Sequence, residues 1–88
     1  MSAKQIPSLN LYTHYGKWLP FSLSVEDLMK LRVLLLLRST ETIRLGSDLF
    51  HLEKGQLSFG SERKPSDFDI DMEPGEIIEL IDECLASA

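Results

Sequence analysis

The sequence predicts a single small α+β domain over 1–88, in which an antiparallel sheet of three to five strands packs against an apolar helix at about 25–38 and an acidic amphipathic helix at about 74–86. Three observations predict it. Ser24-Val25-Glu26-Asp27 opens a leucine-rich run in the form of a capping box. Three short β-type runs between 42 and 59 are punctuated by glycines. Residues 76–85 interleave apolar and acidic side chains at helical spacing.

From the N-terminal side, Leu9 and Leu11 alternate within a short strand expected near 9–13, and an irregular crossing that contains Pro20 is expected to lead to the first helix. Tyr12, Tyr15, Trp18 and Phe21 fall within ten positions of that stretch. A chain this short buries only roughly 60–65% of its unfolded surface, so these aromatics are expected chiefly as a lid on the core, with Tyr15 and Trp18 as candidate partner contacts.

The first helix is apolar nearly all round in its second half, and a buried strand over 32–38 is the competing reading. Leucine favours helix, whereas β-branched residues would favour strand. On a helical wheel Val25, Leu28, Met29, Val33, Leu35 and Leu36 gather on one side. Leu31, Leu34 and Leu37 are left as a cluster for a second copy of the chain to cover. Arg32 lies inside the apolar arc, and pairing with an acid of the C-terminal segment is its expected use.

Thr42–Leu45, Asp48–Leu52 and Gln56–Phe59 read as a three-stranded meander, with Gly46 at a type II′ turn and Gly55 at the left-handed position of a longer hairpin. From Asp67 to Glu73 acids occupy odd positions while Phe68, Ile70 and Met72 occupy even ones, which places them on opposite faces of an extended segment. Pro74 suits a helix start. Ile77, Ile78, Leu80, Ile81, Cys84 and Leu85 then form an apolar stripe opposite Glu76, Glu79, Asp82 and Glu83.

Charge is the most informative functional signal. The first 64 residues carry nine Lys/Arg and six Asp/Glu, whereas the last 24 carry eight acids and no base, so a net charge of −5 hides a +3 body and a −8 tail. Such asymmetry speaks of encounter and partner choice rather than of fold. Along a strand, carboxylates two residues apart stand about 6.6 Å apart, comparable to the spacing of successive phosphates. On the helix, Glu76/Glu79, Glu79/Asp82 and Glu79/Glu83 are like-charge neighbours costing about 0.2–0.5 kcal/mol each, and Asp82 and Glu83 sit at the wrong end of the helix dipole. The competing explanations are a merely solvated face, or pairing within the fold to Arg32, Arg38, Arg44, Arg63 or Lys64.

Catalytic and metal signatures are weak. Asp67, Asp69 and Asp71 imitate the start of a calcium loop, but Met72 stands where Gly is needed and Ile78 where a bidentate Glu is needed. His14 and His51 are far apart in sequence without a ligand at metal spacing, and no Ser sits on a nucleophile-elbow pattern. One cysteine, Cys84, permits no internal disulfide and is expected as a small buried hydrophobe. No apolar run approaches the roughly 20 residues of a membrane helix, and the N-terminal residues lack the apolar core of a signal peptide. A cytoplasmic setting is expected, with no cofactor, metal, membrane or direct nucleic-acid contact.

The expected function is therefore that of a small non-enzymatic binding protein of inhibitor, immunity or adaptor type. Its expected contact surface for a basic partner protein is Asp67, Asp69, Asp71, Glu73, Glu76, Glu79, Asp82 and Glu83 together with Tyr15 and Trp18. The alternatives are a nucleic-acid mimic that blocks a DNA- or RNA-binding protein, and a homodimeric structural subunit joined through Leu31, Leu34 and Leu37. A mimic needs a regular acidic track, whereas an inhibitor uses acids interrupted by aromatic anchors.

Overall fold

Alternation of apolar and polar residues on both sides of a tight turn makes the N-terminal stretch a hairpin. The computed structural model describes residues 8–46, 48–60, 63 and 68–87, the last by its backbone alone. Strand β1 (Ser8–Tyr12) pairs antiparallel with β2 (Trp18–Ser22), with Leu9 opposite Phe21 and Tyr12 opposite Trp18. Leu9, Leu11 and Phe21 are buried, whereas Ser8, Asn10, Trp18 and Pro20 face outward. The turn is closed by Thr13, whose amide and hydroxyl both donate to the Lys17 carbonyl at 2.9 Å. The expected irregular crossing at 18–21 is thus a strand. Pro20 lies opposite Asn10 on the outer strand of this pair, the one place in a sheet where a missing donor costs no ladder bond.

Helix α1 (Val25–Leu37) starts where the capping box places it, with the Ser24 hydroxyl accepting from the Asp27 amide at 3.1 Å. It ends at Arg38 in the left-handed region (φ 51°), whose amide donates to the Leu34 and Leu35 carbonyls. The strand alternative for 32–38 is excluded. Leu28, Leu31 and Leu35 are the buried positions, one turn apart on one face. This corrects the expected dimer cluster: Leu31 is fully buried, Leu34 is half-buried and only Leu37 is exposed. In a run apolar all round, the wheel alone does not say which arc meets the core.

Four strands form the second sheet in sequential order: β3 (Glu41–Leu45), β4 (Asp48–Glu53), β5 (Gln56–Gly60) and the short β6 (Phe68–Asp69). Ile43, Leu45, Phe50, Leu52 and Leu57 face the core by strict alternation. Leu45 stands opposite Asp48, and Gly46, which follows β3, has φ 60°. Glu53 stands opposite Gln56, and Lys54 and Gly55 both have positive φ (52° and 87°). This is a type I′ turn and not the longer hairpin expected.

The expected extended segment from 67 is regular only through Phe68–Asp69; Asp67 lies outside the described residues. Beyond β6, Ile70 bridges to Thr13 and donates its amide to Leu57, and the Asp71 amide donates to Tyr12. These bonds join the hairpin to the larger sheet. The parity argument holds across them: Phe68 and Met72 are half-buried and Ile70 is buried, while Asp69, Asp71 and Glu73 are exposed.

Helix α2 (Pro74–Ser87) has proline at its first position, and the Glu76 carboxylate accepts from the Glu73 amide at 3.1 Å, the return arm of a capping box. Its stripe packs between α1 and β1. Ile77 and Ile81 are fully buried, each contributing about 1.5–3 kcal/mol by leaving water. Phe21 meets Phe50 and Phe59 edge-on at 5.2 and 5.0 Å, the arrangement that aromatic quadrupoles favour.

Candidate functional site

The acidic segment is divided by the fold into three parts. Asp69 and Asp71 project from the outer side of β6 and its continuation. Glu73 and Glu76 meet at the start of α2, where the backbone uses one carboxylate. Glu79, Asp82 and Glu83 lie on the exposed side of the helix. Asp82 accepts from Arg32 Nε at 2.7 Å, as the position of Arg32 in the apolar arc led us to expect. Among the described residues, Asp69, Asp71, Glu79 and Glu83 have no cationic partner.

The aromatic turn comes to this segment through backbone bonds. Both the amide and Nδ1 of His14 donate to the Asp69 carbonyl, at 3.1 and 3.2 Å. Tyr15 stacks near His14 (4.1 Å between centroids) and meets the edge of Phe68 at 5.6 Å, while Trp18 leans on Tyr12 at 5.1 Å. Tyr15 and Trp18 nevertheless remain 59% and 58% exposed. The expected core lid therefore consists of Phe21, with Tyr12 half-buried, and the two remaining rings are surface groups. They stay outside because each projects from the turn end of the hairpin, beyond the reach of the core beneath Leu9 and Leu11.

Register then builds a feature that sequence reasoning missed. Thr42, His51, Ser58 and Asp69 are successive partners across β3, β4, β5 and β6, so they form one row on the face of the sheet turned away from the core. Over this face lies a groove of about 640 Å³ whose lining includes His14, His51, Glu53, Ser58, Asp69 and Asp71. The two histidines, 37 positions apart in the sequence, thus share one concave surface with three carboxylates. Strand parity placed His51 and Glu53 on one face, but no local pattern specified that His14 would join them across the hairpin.

Thr42 Oγ1 lies 2.8 Å from His51 Nδ1, a cross-strand pair on an open sheet face. The Ser58 hydroxyl is buried and donates to the His51 carbonyl at 3.3 Å, which commits its proton to the backbone of the neighbouring strand. Among the described residues no three His, Cys, Asp or Glu side chains converge as metal ligands. Cys84 is half-buried beside β1, with its thiol 3.5 Å from the Ser8 carbonyl; burial, and then the charge of Glu83, push its pKa up. Among the described residues no helix is long and apolar enough to cross a membrane.

No protein-family model matches this chain, no curated protein matches it, and no solved structure matches it.

Proposed function

We propose that this chain is a non-enzymatic, cytoplasmic binding protein that docks an acidic surface on a basic partner protein, in the manner of an inhibitor, immunity protein or adaptor. The observation that carries the reading is the junction of His14 with Asp69. It sets exposed Tyr15 beside a groove walled by Glu53, Asp69 and Asp71, carboxylates that no described cation neutralises. Interfaces favour this composition, in which a rigid aromatic anchor gives contact area and nearby charges steer encounter. Glu79 and Glu83 extend the negative field along α2.

The division of the acids favours this reading over the nucleic-acid mimic. A mimic requires a regular track, whereas here Glu76 is engaged at the helix start, Asp82 is tied to Arg32, and aromatics interrupt the strand acids. Capture on the immobilised chain from lysate at low salt, followed by salt elution, tests the proposal. A basic protein that leaves the wild-type chain at moderate salt, and does not bind an Asp69→Asn/Asp71→Asn variant, is the expected result. Equal retention on both chains would remove the acidic surface from the interface.

A further inference from the structure

The groove over the outer sheet face is floored mainly by hydrogen-bond acceptors. Register sets that floor in two rows: His51, Ser58 and Asp69 are neighbours across β4, β5 and β6, and Glu53 stands opposite Gln56 in the next row. The Ile70 amide bonds to the Leu57 carbonyl, which continues the register and brings Asp71 alongside Gln56. Glu53 and Asp71 therefore flank Gln56 from either side, about 10 Å apart at two strand spacings. Asp69 stands about 6.6 Å from Asp71 along the strand. All three acids line the groove, and among the described residues none of their carboxylates meets a donor.

Ser58 supplies an independent observation. It is only 5% exposed, yet it lines the groove. Its proton goes to the His51 carbonyl, so the hydroxyl has only acceptor lone pairs left to offer, and among the described residues no donor reaches them. The matching ligand is cationic, rich in N–H groups and free of acceptors.

We propose that the groove holds one arginine side chain of a partner protein, its guanidinium lying over Gln56 between Glu53 and Asp71. The inference rests on the acidic docking surface proposed above and names the anchor that enters it. A guanidinium carries five donors in one plane and no acceptor, so it can face carboxylates on two walls at once, whereas a lysine ammonium is a compact, strongly hydrated point charge. The His14–Tyr15 ring pair beside the groove adds a flat face on which a planar cation can lie. A groove of about 640 Å³ falls within the roughly 300–1,000 Å³ of small-ligand sites, so a side chain can enter it rather than rest on a flat sheet. A metal ion does not fit the same residues, because among the described residues no three ligating side chains converge.

Titration of the full chain with the capped tripeptide acetyl-Gly-Arg-Gly-amide, followed by backbone amide chemical shifts, tests the proposal. Saturable shifts confined to Glu53–Ser58 and Asp69–Asp71 are expected, with a dissociation constant on the order of 1 mM. The lysine tripeptide should bind more weakly, and the neutral citrulline tripeptide should not saturate. Glu53→Gln and Asp71→Asn should each weaken the arginine tripeptide by about two- to fivefold, as loss of an exposed ion pair does. Ser58→Ala should weaken it without any change of net charge, and Glu26→Gln on α1 should leave it unchanged; a native amide spectrum certifies that each variant is folded. Shifts spread over every acidic surface, equal weakening by Glu26→Gln, or indifference to Ser58→Ala overturns the proposal. A tripeptide that fails to bind, while the chain still retains a basic protein through Asp69 and Asp71, overturns the arginine anchor alone. Failure of both removes the acidic docking reading with it.

Discussion

Arg32 Nε donates to Asp82 Oδ1 at 2.7 Å and so ties α1 to α2. The two side chains are 38% and 51% exposed, which limits the pair to about 0.2–1 kcal/mol in water. Asp82→Asn should therefore lower unfolding free energy by less than that amount at low salt, because relief of the Glu79–Asp82 repulsion offsets part of the loss, and the loss should shrink at high salt. Urea titrations of the two proteins at both ionic strengths check this. Among Glu79, Asp82 and Glu83 on the exposed side of α2, Asp82 is then the one whose removal destabilises the free protein.

Adjacent residues of the β4–β5 turn should respond with opposite signs. Lys54 holds φ at 52°, a conformation costing a side-chain-bearing residue about 1–2 kcal/mol, and Asn tolerates it better. Lys54→Asn should therefore stabilise by up to about 1 kcal/mol. Gly55, at φ 87°, is also enclosed: a Cβ there would approach Cγ of Arg38 and Cγ of Pro74 at 3.2 Å. Gly55→Ala should destabilise by about 1–3 kcal/mol, from backbone strain and crowding together. Denaturant midpoints of the two variants decide both signs.

The Cys84 thiol should react slowly. Burial raises its pKa first and the Glu83 carboxylate adds to the effect, so less thiolate is present at neutral pH than in an unstructured peptide. The rate of iodoacetamide alkylation should therefore lie below that of the urea-unfolded chain and rise only on the alkaline side of the ordinary thiol range. Glu83→Gln should move that rise toward lower pH. A shift in the opposite direction would show that the carboxylate does not face the thiol.

Local chemistry made much of the fold legible. Ser24 and Asp27 announced the start of α1, Gly46 marked a turn, and the 67–73 parity placed Ile70 inward and Asp71 outward. What stayed hidden depended on contacts between distant segments. Pro20 concealed a strand because an outer-strand proline is tolerated only once its partner strand is known. Leu31 was misassigned because α1 is apolar on all sides and only the sheet decides which arc is buried. The candidate site was legible as charge, since Asp69, Asp71, Glu79 and Glu83 are exposed, but the groove was not. It exists because the Thr13–Ile70 bridge carries His14 to Asp69, a long-range pairing with no local signature.

The central claim is that the acidic surface is held for binding rather than for stability, and one paired measurement tests it most directly. Glu79 and Glu83 are exposed like-charge neighbours one turn apart, so Glu79→Gln/Glu83→Gln should leave the free protein equally stable or more stable by about 0.2–0.5 kcal/mol. The same double variant should bind the captured basic partner more slowly at low salt, with association rates that converge on those of the wild-type chain at high salt. Stability and association must move in opposite directions, or stability must hold while association falls. A double variant that loses stability, or one whose low-salt association rate equals that of the wild-type chain, would contradict the account.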